Sequence, residues 1–357
     1  MLLFLCWEVH ILLQKSHNIT MNKRIGKQTI KFPSKPAIIA SACIAGKKES
    51  EGPLGHTLDY SSEDTTFGEK TWEKSESRMQ KDTLQFLCNK SNLSFDKIEL
   101  VCAGDLLDQC IGSSFGLRES SLPFLGLYGA CSTMAESLII TAMAVDGQFV
   151  NNSVAMTSSH FCAAERQYRM PLEYGAQRLP TAQWTVTGAG GCVVASSAAE
   201  NLPRITKAAI GKIVDCGVTD AGHMGAAMAP SAYETIIVFW KDTNTKPSDY
   251  DLILTGDLGS VGRDILLDLF KADGYELGDR LQDCGMLIYD ANKQDVHAGG
   301  SGCGCSAVVL CGHILERMRS GLYKNVLFCG TGALLSPVSI MQGESIPGIC
   351  HVVCLEV

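Results

Sequence analysis

Short unbroken apolar runs alternate along the chain with longer stretches whose apolar positions fall three and four apart. Pro36 to Ala42 (Pro-Ala-Ile-Ile-Ala-Ser-Ala) reads as a first buried strand. Ile98 to Ala103, Ser153 to Thr157, Asp251 to Thr255 and Asn325 to Cys329 read as further strands. Between them, Lys74 to Lys90 places Met79, Leu84, Phe86 and Leu87 on a rough helical face. Leu138 to Val145, Gly262 to Lys271 and Ala307 to Arg319 read as helices too. Residues 46–75 are polar, with Gly52-Pro53 and Ser61-Ser62-Glu63-Asp64, and read as a long loop. Alternation of β and α elements argues for an α/β fold with packed sheets.

The same order occurs twice. Ile98-Glu99-Leu100-Val101-Cys102-Ala103-Gly104-Asp105-Leu106 aligns with Tyr250-Asp251-Leu252-Ile253-Leu254-Thr255-Gly256-Asp257-Leu258 at an offset of 152. Gly129-Ala130-Cys131-Ser132 aligns with Cys303-Gly304-Cys305-Ser306 at an offset of 174. In each copy a glycine, Gly147 or Gly321, follows the cysteine by 16 residues and leads into a strand. The pattern predicts two duplicated α/β halves packed as one pseudo-twofold unit. The halves are expected over residues 21–200 and 201–357. Residues 1–20 are expected to be an extension outside the fold. The apolar run at its start is broken by Glu8 and His10. It is too short for a membrane span, which needs about 20 apolar residues, and it lacks the basic region and cleavage site of a signal peptide.

Composition narrows the function classes. Hydrophobic residues are 46% and charged residues 19% of 357, which suits a packed core rather than a disordered chain. The formal net charge is −8, without the basic excess of a nucleic-acid binder. Sixteen cysteines are many. Cys192, Cys311 and Cys329 sit in apolar runs, which points to buried free thiols rather than a disulfide frame. Cys303-x-Cys305 and Cys350-x3-Cys354 do not combine into a four-ligand zinc pattern.

Cys131 is the sharpest single residue. It ends an extended segment and enters the helix around Ala135 to Val145. A thiol there feels the positive end of the helix dipole, which lowers its pKa toward the thiolate. Three readings stand: a nucleophile for acyl transfer, a helix start whose N–H groups hold a carboxylate, or a small residue chosen for tight packing. His160, His223 and His297 follow strands or glycine turns, where site residues collect. Gly299-Gly300-Ser301-Gly302-Cys303-Gly304 precedes a helix and could cradle an anion, although it lacks the lysine of a P-loop. Thr187-Gly188-Ala189-Gly190-Gly191 reads as a close crossing of strands. Among Arg166, Arg169 and Arg178, interleaved with Glu165 and Glu173, one or two guanidiniums could serve an anionic ligand.

With these features the chain resembles the thiolase and ketoacyl-synthase superfamily over about residues 35–357. The duplicated halves, Ala130-Cys131-Ser132, Gly188-Ala189-Gly190 and the late glycine-rich turn carry the resemblance. It implies a thiolase-like α-β-α-β-α layered fold. The chain is more closely similar to the stage V sporulation protein AD family of spore-forming bacteria. Thr157-Ser158-Ser159-His160-Phe161-Cys162-Ala163-Ala164-Glu165-Arg166-Gln167-Tyr168-Arg169 carries this similarity, as do Pro180 to Gly190, His223 to Pro230 and Thr255-Gly256-Asp257-Leu258-Gly259.

That resemblance implies a non-catalytic protein that binds dipicolinic acid, free or as its calcium chelate, for uptake into the developing spore. It would need no cofactor or resident metal. It would lie peripherally on the spore inner membrane, in a complex with membrane-embedded proteins of the same operon, with no nucleic-acid partner. A homodimer would pair near Ser153 to Thr157. Ketoacyl synthases of the Cys-His-Asn type carry a histidine after the second-half strand; here the strand ends at Asp257. A carboxylate repels a thiolate and cannot replace imidazole as a neutral donor, so Cys131 is expected to be a vestigial nucleophile. The ligand contacts expected are Cys131, Asp257, His297 and Cys303, then Asp105 and His160. The competing expectations are a Cys131-dependent acyltransferase of the thiolase or ketoacyl-synthase type, and a structural subunit with a vestigial pocket.

Overall fold

The computed structural model describes residues 22–168 and 177–357. The extension expected over residues 1–20, and Arg169 and Glu173, lie outside them. Ten strands form the two halves. In the N-terminal half they run, side by side, Ala37–Gly46, Gly188–Ala195, Asn152–Ser159, Leu100–Gly104 and Phe124–Gly126. In the C-terminal half they run Arg204–Ala209, Gly348–Glu356, Asn325–Ala333, Leu252–Thr255 and Leu281–Asp283. In both, the first two neighbour pairs are antiparallel and the last two parallel. The halves match strand for strand. They meet where Arg204 pairs with Ala37. A small hairpin, Arg24–Ile25 with Thr29–Lys31, precedes the N-terminal half in sequence yet pairs with Arg204–Ala209 of the other half.

Residues 46–75, expected as one loop, contain a short helix at Lys47–Ser50 and a strand at Tyr60–Ser62 that pairs with Ala37–Gly46. These elements are too short for periodicity to show. The helix expected at Lys74 to Lys90 spans Trp72–Ser91. Thr71 caps its start by accepting from the Lys74 N–H, and left-handed Asn92 ends it. The helix expected at Ala307 to Arg319 is interrupted. It runs as Cys303–Val308, widens to a π-helical stretch at Val309–Ile314 and closes at Leu315–Arg319.

Two helices lie between the sheets, Thr133–Asp146 and Cys303–Val308, and each touches strands of both halves or the partner helix. Met134, Ala135, Leu138, Ile139 and Ala142 are therefore buried around most of the first helix. Trp72–Ser91 covers the N-terminal sheet from outside, and Met224–Thr243 covers the C-terminal one. The result is a helix, sheet, helix, sheet, helix layering. Glycines permit the central contacts. A Cβ on Gly190 would lie 2.6 Å from the backbone of Ala307, and one on Gly330 2.6 Å from the Ala135 Cβ. The Gly188 to Gly191 segment is thus a close crossing of a strand with a helix rather than with another strand. Gly190→Ala is expected to cost about 1–3 kcal/mol by overpacking. Thermal unfolding followed by circular dichroism should show a midpoint several degrees lower; an unchanged midpoint would mean that the helix can move aside.

Candidate functional site

The carboxyl ends of the parallel strands are where ligands collect in α/β sheets. Here those ends from both halves surround one narrow cleft, with about 460 Å³ of unfilled space that includes open solvent. Leu106 enters from the end of Leu100–Gly104. Tyr128 and Cys131 follow Phe124–Gly126, and Ala333 closes Asn325–Ala333. Ala164, Glu165 and Tyr168 of the Phe161–Tyr168 helix, Thr185 and Ser301 also line it.

Asp257 sits beneath this wall, fully buried. Its strand ends at Thr255, and its backbone is pinned: its N–H donates to Thr331 Oγ1 at 3.0 Å, and Gln183 Nε2 donates to its carbonyl at 2.7 Å. Its carboxylate accepts from the Gly302 N–H at 2.8 Å, the Thr331 hydroxyl at 2.9 Å and the Ser301 hydroxyl at 3.2 Å. Gly302 holds φ +100, where a Cβ would also meet Ser159 Oγ at 2.8 Å, so no other residue fits the turn. The anion cradle expected at Gly299 to Gly304 is real in form but is filled by the chain's own carboxylate. Burial pushes the Asp257 carboxyl up to about 6, and the hydrogen bonds from Cys131, Gly302 and Thr331 only partly oppose this.

Cys131 faces Asp257. Ala130 before it takes a left-handed φ of +50, which turns the chain into the helix that begins at Thr133. The lowered thiol pKa expected of a helix start does not occur. Burial, and then the Asp257 carboxylate, push Cys131 well above its ordinary value, while Gly302 and Ser301 pull weakly the other way. Removal from water and a carboxylate at contact outweigh a dipole that acts only near the helix end. Cys303 packs with Cys131, Leu106 and Ala164 in one apolar cluster. Its thiol donates to the Ser158 carbonyl at 3.0 Å, and burial raises its pKa as well.

The other expected residues lie elsewhere. Asp105 occupies the position equivalent to Asp257 but lies behind the cleft. It accepts from the N–H groups of Leu107 and Ser113, at 2.9 and 2.7 Å, and from the Ser113 hydroxyl. His160 does not line the cleft. Its Nε2 meets the Thr65 carbonyl at 2.8 Å, and burial lowers its pKa. His297 does not line it either. Its Nδ1 bonds the Leu179 carbonyl at 2.7 Å, and its Nε2 lies 3.1 Å from Asp295. Both imidazoles follow strand ends or turns, but their neighbours draw them away. Arg166 pairs with Glu73, and Arg178 pairs with Asp295 at 2.7 Å and lies over the Trp184 ring. His223, half-exposed, lies 4.0 Å from Asp220.

Sequence reasoning missed the polar rim. The hydroxyls of Tyr128 and Tyr168 are 2.6 Å apart, and that of Tyr168 bonds the Leu106 carbonyl. Thr185 donates to Glu165 at 2.9 Å. Thr331, which locks Asp257, was also missed. These residues are brought together by strands far apart in the chain, and no local motif marks them. Among the described residues the lining holds no lysine, arginine or histidine, and no group of three or more His, Cys, Asp or Glu is placed to hold a metal ion. Every described cysteine is a free thiol, as composition led us to expect.

With this geometry in hand, comparison places the chain. The family model for stage V sporulation protein AD matches residues 26–356. Stage V sporulation protein AD of Bacillus subtilis (strain 168) is 45% identical over 334 residues, covering 94% of this chain and 98% of that protein. The chain also resembles 3-oxoacyl-[acyl-carrier-protein] synthase III of Aquifex aeolicus, with TM-score 0.55 and 13% identity over 90% of this chain and all of that one. Cerulenin-bound OleA of Xanthomonas has TM-score 0.59 and 12% identity over 94% and 98%. These two structures support the thiolase-like fold.

The environment of Cys131 makes a kinetic prediction. At pH 8 iodoacetamide is expected to modify Cys131 at least about tenfold more slowly than exposed Cys216. Asp257→Asn removes the repelling charge and should speed modification of Cys131, read by peptide mass spectrometry. Equal rates at Cys131 and Cys216 in the unaltered protein would mean that the thiol is ionised after all.

Proposed function

The chain belongs to the stage V sporulation protein AD family, and on that premise we propose that it is a non-catalytic binding protein for dipicolinate. It serves uptake of that acid into the developing spore. It works peripherally at the spore inner membrane, with membrane-embedded proteins of the same operon supplying the passage; no helix among the described residues is long and apolar enough to cross a membrane.

The observation that carries this reading is the pairing of a protonated Cys131 with the buried Asp257. An acyl-transfer site needs a thiolate and a neutral donor for the developing oxyanion. Here a carboxylate takes up the backbone N–H of Gly302, and no described imidazole lines the cleft. Asp257 in the place of the histidine of Cys-His-Asn synthases accounts for both facts. The retained concave shape suits a flat aromatic ring, with Leu106 and Ala164 as apolar walls and the two tyrosine hydroxyls at the rim.

Charge favours one form of the ligand. Free dipicolinate is a dianion near neutral pH, and the described lining offers no cation to it. The one-to-one calcium chelate has no net charge and enters such a lining without that penalty. We therefore expect tighter binding with Ca²⁺. Surface plasmon resonance should show saturable binding of dipicolinate that strengthens with Ca²⁺ and weakens at least about tenfold in Cys131→Phe, which fills the cleft. Binding unchanged in Cys131→Phe would remove the cleft from this reading. No binding by the unaltered protein, with an acyl-thioester on Cys131 after exposure to acyl-CoA, would favour the acyltransferase instead.

The homodimer expected from the resemblance needs a free sheet edge. Ser153 to Thr157 does not supply one, because that strand is paired on both sides, with Leu100–Gly104 and Gly188–Ala195. The edge of the N-terminal sheet is Phe124–Gly126. Among the described residues it is paired on one side only, with Phe124 and Leu125 exposed at 36% and 46%. Pairing of two such edges about a twofold axis would cover them. Light scattering is expected to find a dimer, and a monomer for Leu125→Asp.

A further inference from the structure

A second concavity shares no lining residue with the cysteine cleft. It encloses about 1030 Å³ of space open to solvent, between the Ala37–Gly46 strand, the loop at His56 to Asp59, the end of the Trp72–Ser91 helix and the Val309–Arg319 stretch. The π-helical turn at Val309–Ile314 borders it, and such turns are frequent at functional sites. Gly312 lets this turn press against the strand: a Cβ there would meet Cys43 Sγ at 2.6 Å and the Thr57 carbonyl at 3.1 Å.

Basic groups predominate in this wall. Lys90, Arg317 and Arg319 line it with the imidazoles of His56 and His313, against the carboxylates of Asp59 and Glu316. Asp59 is taken up by Lys90 at 2.8 Å and by the Cys43 N–H at 2.9 Å. Glu316 is largely exposed, 3.6 Å from Arg319 Nη1. Arg317 makes no ion pair among the described residues. Arg319 donates through Nη1 to the Ser41 hydroxyl at 3.0 Å, and Ser41 donates on to the Cys311 carbonyl at 2.9 Å. The guanidinium is thus anchored. Its Nη2 is buried and has no partner among the described residues. A buried charged donor left unsatisfied is costly, but this one is closed to solvent, so a ligand in the cavity reaches it only when the side chain turns outward. Burial, and then the charges of Arg317 and His56, hold the His313 imidazole down to about 4.

We propose that this pocket binds a phosphate group, with Arg317 as its main donor, the Arg319 guanidinium beside it, and Lys90 and His56 at the rim. Donors converging from separate elements suit a tetrahedral oxyanion with several acceptor oxygens, and guanidiniums match phosphate in pairs. The ligand class is inorganic phosphate or a small phosphomonoester.

The test uses the full chain, the His313 ring resonances in NMR, and inorganic phosphate and pyrophosphate at constant ionic strength. Saturable shifts are expected, with the apparent pKa of His313 raised by at least one pH unit at saturation. Arg317→Gln and Arg319→Gln should each weaken the response at least tenfold. Arg317 is on the cavity surface, so its variant decides the matter should Arg319→Gln fail to fold. A response no greater than that to chloride, or one unchanged in Arg317→Gln, overturns the proposal. Dipicolinate is titrated in parallel. Arg317→Gln should leave its binding intact, whereas shifts of His313 caused by dipicolinate but not by phosphate would replace the phosphate assignment with a carboxylate one.

Discussion

The carboxylate of Asp257 is the group around which the centre of the molecule is arranged. It is fully buried, and it joins the end of one strand, the glycine turn before the Cys303–Val308 helix and the Asn325–Ala333 strand through the donors of Gly302, Ser301 and Thr331. Removing it would leave those donors unpaired in a site closed to water. Its presence also settles the character of the cleft above. The turn that resembles an oxyanion cradle already holds an anion, and the thiol beside it is kept protonated. One interaction thereby organises the structure and sets the environment of Cys131 at the same point. Asp105, the equivalent residue of the other half, is satisfied by Ser113 and Leu107 and has no such reach into the cleft.

Much of the fold could be read from the chain because it is written twice. The offsets that relate Asp105 to Asp257 and Cys131 to Cys305 correspond to matching strands and helices in two sheets of the same order. Burial explains why the strands were plain. They are covered on both faces, so their apolar runs are continuous. What periodicity could not show were interruptions and short pieces. The π-helical turn at Val309–Ile314 has the same residue types as an ordinary helix, and Gly312 within it packs closely against Cys43. The hairpin at Arg24 to Lys31 joins the far half, a long-range pairing that no local pattern encodes.

The site was legible only where one residue carried its own signal. Cys131 stood out from its turn, Asp257 from the place where the synthases carry a histidine, and Cys303 from the glycine-rich turn before its helix. The direction of the thiol pKa was not, because the helix dipole is a local property whereas burial and the facing carboxylate depend on the other half of the chain. His160 and His297 stand at positions typical of site residues, yet the Thr65 carbonyl and Asp295 draw them elsewhere. Tyr128 and Tyr168 meet hydroxyl to hydroxyl across forty positions of sequence, which only the folded chain brings about.

The placement of the Thr133–Asp146 helix between the sheets bears on how the chain acquires its structure. The second face of that helix is covered by Asn325–Ala333 and Gly348–Glu356, strands synthesised near the end of the chain. During translation the first half therefore emerges with Met134 and its neighbours lacking their final cover, for as long as the remainder takes to be made. Contacts this distant in sequence form slowly, and exposed apolar surface in partly folded chains invites aggregation. The duplicated halves thus share one core, and the inner face of the first is covered only when the strands of the second pack against it.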